Sequence, residues 1–100
     1  MATLHVTWIK TAEGRGDNPG GVIDDIISAE AITTSGSAAA SSAKPALATH
    51  AICVSYDDNH YVNQGPGNTA AVGTGVLIPT GMFQVLRVEK GNKISAIVVA

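Results

Sequence analysis

The sequence predicts an all-β domain, a small antiparallel β-sandwich or a jelly-roll-like barrel. Three observations carry that reading. Apolar side chains recur with a period of two, clusters of Gly, Pro, Asn and Asp interrupt them at short intervals, and no stretch has the length and periodicity of an amphipathic helix. Without helices to cover its faces, a parallel βαβ sheet is excluded. The 100 residues suit one domain, which at this size buries roughly two-thirds of its unfolded surface. The apolar content is mostly Ala, Val and Ile, with aromatics only at Trp8, Tyr56, Tyr61 and Phe83, a composition suited to a thin layer between sheets.

The elements follow in chain order. Thr3 to Ile9 alternates, with Leu4, Val6 and Trp8 on one face and Thr3, His5 and Thr7 on the other, so it reads as a strand with one buried face. Thr11 to Gly21 holds Gly14, Gly16, Gly20, Gly21, Asp17, Asn18 and Pro19 and reads as an exposed loop. Over Val22 to Thr34 the residues Val22, Ile23, Ile26 and Ile27 have helical spacing. The β-branched content lowers helix propensity, which favours a turn at Asp24-Asp25 and a strand over Ile26 to Thr33. Ser35 to Ala46, rich in Ala and Ser and broken by Gly36 and Pro45, reads as a flexible connection or an extended edge. The single domain therefore divides into amino-terminal strands with their glycine-rich loop (1–34), an Ala/Ser-rich connection (35–46) and a main β meander (47–100).

In that last part Leu47 to Tyr56 is a strand whose set Ala48, His50, Ile52, Val54 and Tyr56 is the more apolar and is expected to face the core. Asp57-Asp58-Asn59 is a turn, since such side chains bond nearby backbone, and His60 to Gln64 returns to close a hairpin. Gly65-Pro66-Gly67-Asn68 is the strongest turn signal. Thr74 to Ile78, Met82 to Val88 and Ile94 to Val99 are strands, separated by turns at Pro79-Thr80-Gly81 and Glu89 to Asn92.

Charge excludes one class of partner. The formal net charge is −2 and the cations are scattered over Lys10, Arg15, Lys44, Arg87, Lys90 and Lys93. Only Arg87, Lys90 and Lys93 lie close in sequence, as charges at a hairpin tip do. A nucleic-acid backbone needs several cations on one face, so no nucleic-acid partner is expected. No run approaches the roughly 18–20 apolar residues of a membrane span, and Met1 to His5 lacks the charged start and apolar run of a secretory leader. The expectation is a soluble chain made in a cytoplasm, with no membrane partner. With charged residues at only 14%, much of the surface is small and weakly polar or is covered by another chain.

From Thr49 to Val99 the order of features resembles small virion proteins of tailed bacteriophages. The matching stretches are Ile52-Cys53-Val54-Ser55-Tyr56-Asp57-Asp58-Asn59, Tyr61-Val62-Asn63-Gln64-Gly65, Asn68-Thr69-Ala70, Leu77-Ile78-Pro79-Thr80-Gly81 and Val88-Glu89-Lys90-Gly91-Asn92-Lys93-Ile94. They cover about half the chain, and each is strand-and-turn chemistry without a reactive group. Ile78, placed between Leu77 and Pro79, departs from the Leu-Pro-x-Gly corner of that pattern. The resemblance implies a sandwich or jelly-roll-like fold and a place in the virion. The role it implies is a capsid decoration or cement protein that binds the major capsid protein across subunits, often as a homotrimer. Leu4, Val6 and Trp8 are candidate subunit contacts, because Trp is enriched at binding hot spots; core packing is the simpler role for them. The alternative is a receptor- or carbohydrate-binding module of a phage tail or neck, although such sites usually carry more aromatics than this chain holds.

No constellation points to catalysis, so no enzyme and no cofactor are expected. Arg15-Gly16-Asp17 is an RGD tripeptide in a glycine-rich loop, which needs no receptor to exist. His5, His50 and His60 with Cys53 and Asp57 could approach a zinc set only if the fold gathers three or four of them. Cys53 alone makes no internal disulfide and reads as a small core residue. Asp24-Asp25 and Asp57-Asp58-Asn59 lack the alternating acids and distal Glu of a calcium loop. The serines sit in no Gly-x-Ser-x-Gly elbow, and neither Gly65-Pro66-Gly67 nor Gly73-Thr74-Gly75 is followed by the Lys and helix of a phosphate loop.

Overall fold

In a computed structural model the chain is all-β and antiparallel. The structure describes residues 2–11, 23–67, 70–71 and 73–99. Among the described residues eight strands run β1 (Ala2–Thr11), β2 (Ile23–Thr34), β3 (Ala39–Ala43), β4 (His50–Ser55), β5 (His60–Gly65), β6 (Val76–Ile78), β7 (Phe83–Arg87) and β8 (Lys93–Val98). They form two four-stranded sheets, ordered β2-β1-β4-β7 and β3-β8-β5-β6. Numbered from β2, with β1 taken last, this is the strand order of an eight-stranded jelly roll. Here the closing strand comes first in the chain.

The core lies between the sheets. Leu4, Val6 and Trp8 of β1, Ile32 of β2, and Ala51 and Cys53 of β4 meet Val62, Ile78, Ile94 and Ala96 from the second sheet. Directly opposed residues on antiparallel strands share a face. The register sets Trp8 against Ala51, Val6 against Cys53 and Leu4 against Ser55, so each large side chain of β1 has a small neighbour on β4. This pairing reverses the expected facing of β4. Ala51, Cys53 and Ser55 are buried, whereas Ile52 and Val54 point outward and Tyr56 is exposed. A row of large residues on β4 would overfill the space beneath Leu4, Val6 and Trp8.

Two further expectations change. Asp24-Asp25 is not a turn: both residues belong to β2, and two register shifts opposite Trp8/Ile9 and Lys10/Thr11 absorb the irregularity as bulges. Residues 47–100 are not a meander. β4 and β5 lie in different sheets, as do β6 and β7, and β7 and β8, so His50–Gln64 closes no hairpin and Glu89–Asn92 is a crossing between sheets. Of the two readings of the Ala/Ser-rich connection, the extended edge is the one found: it supplies β3, paired with β8 through an irregular register. The loop expected up to Gly21 lies, beyond Thr11, outside the described residues.

The crossings are fixed by turn chemistry. At Tyr56–Asn59, Asp57 Oδ1 accepts the Thr3 N–H at 2.9 Å and Asn59 Oδ1 accepts the Thr80 N–H at 2.8 Å. At Pro79–Met82 the Met82 N–H reaches the Pro79 carbonyl at 3.0 Å, with Gly81 at φ 81°. At Glu89–Asn92 the Asn92 N–H reaches the Glu89 carbonyl at 3.1 Å. β6 begins at Val76 rather than Thr74 because Gly75 takes φ 80° against the Val62 carbonyl, where a Cβ would collide.

Candidate functional site

The outer face of the first sheet follows from the facing of β4. With Ala51, Cys53 and Ser55 inward, Ile52 and Val54 turn out and stand beside Val85 and Phe83 of β7, their partners in register. Val54 also faces His5 across β1, and the His5 ring meets Tyr56 edge-on, centroids 6.0 Å apart. Phe83 is 63% exposed, Tyr56 71% and Val85 39%. An aromatic and β-branched row therefore crosses two strands, half-buried at Ile52 and Val54 and open at Tyr56, Phe83 and Val85. It ends at His50 and Arg87, which are also paired, and the Arg87–Glu89 ion pair at 3.9 Å is too exposed to contribute much. A cluster of large apolar side chains on a sheet face this small is what a contact surface requires. Sequence reasoning missed it because β4 was read by its own hydropathy. The bulky residues of β1 were the signal that its neighbour must turn small side chains inward.

Leu4, Val6 and Trp8 are not this surface. Each is 0% exposed inside the chain's own core, so none offers area to another subunit. The Trp8 indole N–H donates to Glu30 Oε2 at 2.9 Å, and Glu30 Oε1 accepts the Ser42 N–H at 3.0 Å. That carboxylate clamps β1 to both β2 and the β3 edge.

The histidines are dispersed. His5 lies on the outer face, and His50 Nδ1 meets Thr49 Oγ1 at 2.8 Å. His60 is fully buried. Among the described residues no group of three His, Cys, Asp or Glu could hold a metal. Burial pushes the Cys53 thiol up to about 12, so it stays protonated and unreactive in the folded chain. The RGD tripeptide and Asn68 lie outside the described residues.

The described serine closest to a histidine pairing is Ser55, whose Oγ lies 3.0 Å from His60 Nδ1. Both are buried, and the Ser55 hydroxyl donates to the Ile78 carbonyl at 2.8 Å. Ser55 Oγ therefore accepts from Nδ1–H, which leaves Nε2 to accept from Thr34 Oγ1 at 2.7 Å. The arrangement ties β2, β4, β5 and β6 together around a neutral imidazole and presents no nucleophile to solvent. Burial lowers the His60 pKa, against a smaller upward pull from Asp58 and Asp57. The unfolded chain then binds the proton more readily, so stability is full above about pH 6.5 and falls below it, by at most about 1.4 kcal/mol per pH unit for this group. Urea midpoints at stepped pH are expected to decline below that point, and His60→Gln is expected to flatten the decline.

No protein-family model, curated protein or solved structure matches this chain.

Proposed function

We propose that the chain is a non-catalytic structural component of a phage particle, a decoration or cement protein that binds across subunits of the major capsid protein. The observation that carries this reading is the row on the outer face of the first sheet in which exposed Tyr56, Phe83 and Val85 stand beside half-buried Ile52 and Val54. Burying such a row against a shell raises the cost of losing any subunit it spans. Two features support the virion setting: the resemblance of Thr49–Val99 to small phage virion proteins, and a sandwich with jelly-roll strand order, the fold that resemblance implies. Fold alone does not set function; the apolar face supplies the mechanism. Self-association multiplies such contacts by symmetry.

Mass spectrometry of purified virions tests the reading. Hundreds of copies per particle are expected, and Phe83→Ser with Tyr56→Ser is expected to reduce occupancy while leaving the unfolding midpoint nearly unchanged, since both side chains are exposed. About a dozen copies, together with binding on a glycan array, would instead establish the tail or neck receptor-binding module.

A further inference from the structure

The sandwich has four sheet edges, and three carry devices that blunt strand addition. β2 is bulged at two places against β1, β3 is irregular against β8, and β6 is three residues long. β7 has none of these. Its five residues, Phe83-Gln84-Val85-Leu86-Arg87, pair with β4 in unbroken register and hold no Pro or Gly.

The free side of β7 can be read from its flanks. Met82 C=O receives the Ser55 N–H, and the Val88 N–H donates to Thr49 C=O. Even-numbered residues thus turn their backbone groups toward β4, so Phe83, Val85 and Arg87 turn theirs away from it. Gln64 Nε2 donates to the Arg87 carbonyl. The N–H and C=O of Phe83 and Val85 and the N–H of Arg87 are left facing the side where, among the described residues, the sheet has no further strand.

We infer that β7 pairs with β7 of a second copy, antiparallel about a two-fold axis through Val85. In that register Val85 exchanges both hydrogen bonds with its counterpart, and Phe83 C=O receives the Arg87 N–H of the other copy. The side chains fit the same register. Phe83 stands opposite Arg87 of the second copy, setting a guanidinium beside an aromatic ring, and the two Val85 side chains meet at the centre. Two sheets become one continuous sheet, and the apolar row Ile52, Val54, Phe83 and Val85 doubles across the seam. The pairing is isologous and closes as a dimer, not as a threefold ring. It is a property of the free chain and does not rest on the virion reading.

Sedimentation of the full chain from about 5 to about 500 µM tests it. A concentration-dependent dimer is expected for the wild type and for Val85→Thr, which keeps the β-branched shape and the N–H. Val85→Pro removes only the donor on the free side, and Val85→Lys sets two ammonium groups face to face; both are expected to remain monomeric throughout. Circular dichroism verifies folding, and should Val85→Pro not fold, Val85→Lys decides. A wild type that stays monomeric, a trimer, or a dimer that a folded Val85→Pro or Val85→Lys leaves intact would overturn the pairing. Virion copy number is read separately, so neither result substitutes for the other.

Discussion

Trp8→Ala is expected to lower the free energy of unfolding by about 3–5 kcal/mol, a large part of the roughly 5–15 kcal/mol such a domain possesses. The indole is the largest fully buried side chain in the structure. Its neighbours in register, Ala51 on β4 and Ser28 on β2, are too small to move into the cavity, which places the cost at the upper end of the range. The substitution also removes the indole N–H that holds Glu30 over β2 and β3. Glu30→Ala alone, which leaves that N–H and the Ser42 N–H without their acceptor, is expected to cost about 1–3 kcal/mol, and Glu30→Gln less. Urea unfolding followed by far-ultraviolet circular dichroism measures all three. Unchanged stability with altered association in Trp8→Ala would restore Trp8 as a subunit contact.

Gly75→Ala has the second large effect, and Gly73→Ala calibrates it. Both glycines have positive φ, 88° at Gly73 and 80° at Gly75. Around Gly73 a Cβ meets open space, so alanine there is expected to cost only the left-handed backbone penalty, about 1–2 kcal/mol. At Gly75 the same Cβ falls on the Val62 carbonyl oxygen, with Asn63 Cβ 3.2 Å away. Val62 is a core residue paired with Val76, so relief means sliding β6 off β5. The expected cost is about 3 kcal/mol or more. The Cys53 thiol gives an independent readout, because labelling it requires the sandwich to open: alkylation is expected to accelerate far more in Gly75→Ala than in Gly73→Ala.

The fold class was legible in the sequence because period-two patterning and turn residues are local signals. The inward face of Leu4, Val6 and Trp8, the turn at Asp57-Asp58-Asn59 and the corner at Pro79-Thr80-Gly81 were all read from a few adjacent residues. What depended on distant partners was misread. Which side of β4 is buried is decided by β1, more than 40 positions earlier in the register that sets Val6 against Cys53. Ala39–Ala43 of the Ala/Ser-rich connection takes the extended-edge form expected of it, paired with β8, whereas the Asp24-Asp25 turn failed because β1 is long enough to carry β2 with it. The outer apolar face was hidden for the same reason, since it exists only once β4 and β7 are adjacent.

That adjacency also sets the tempo of folding. Except for β1 with β2 and β5 with β6, each strand pair joins segments that are not consecutive: β1 with β4, β4 with β7, β3 with β8 and β5 with β8. Each such pair must close a long loop before any hydrogen bond repays it, which places folding in the millisecond-to-second range rather than microseconds. Meanwhile the nascent chain holds β4 and β7 with both edges open, and at high concentration partial sheets can recruit one another instead of their own missing strands. Fast dilution during refolding should therefore raise the yield of native protein more than any change of denaturant.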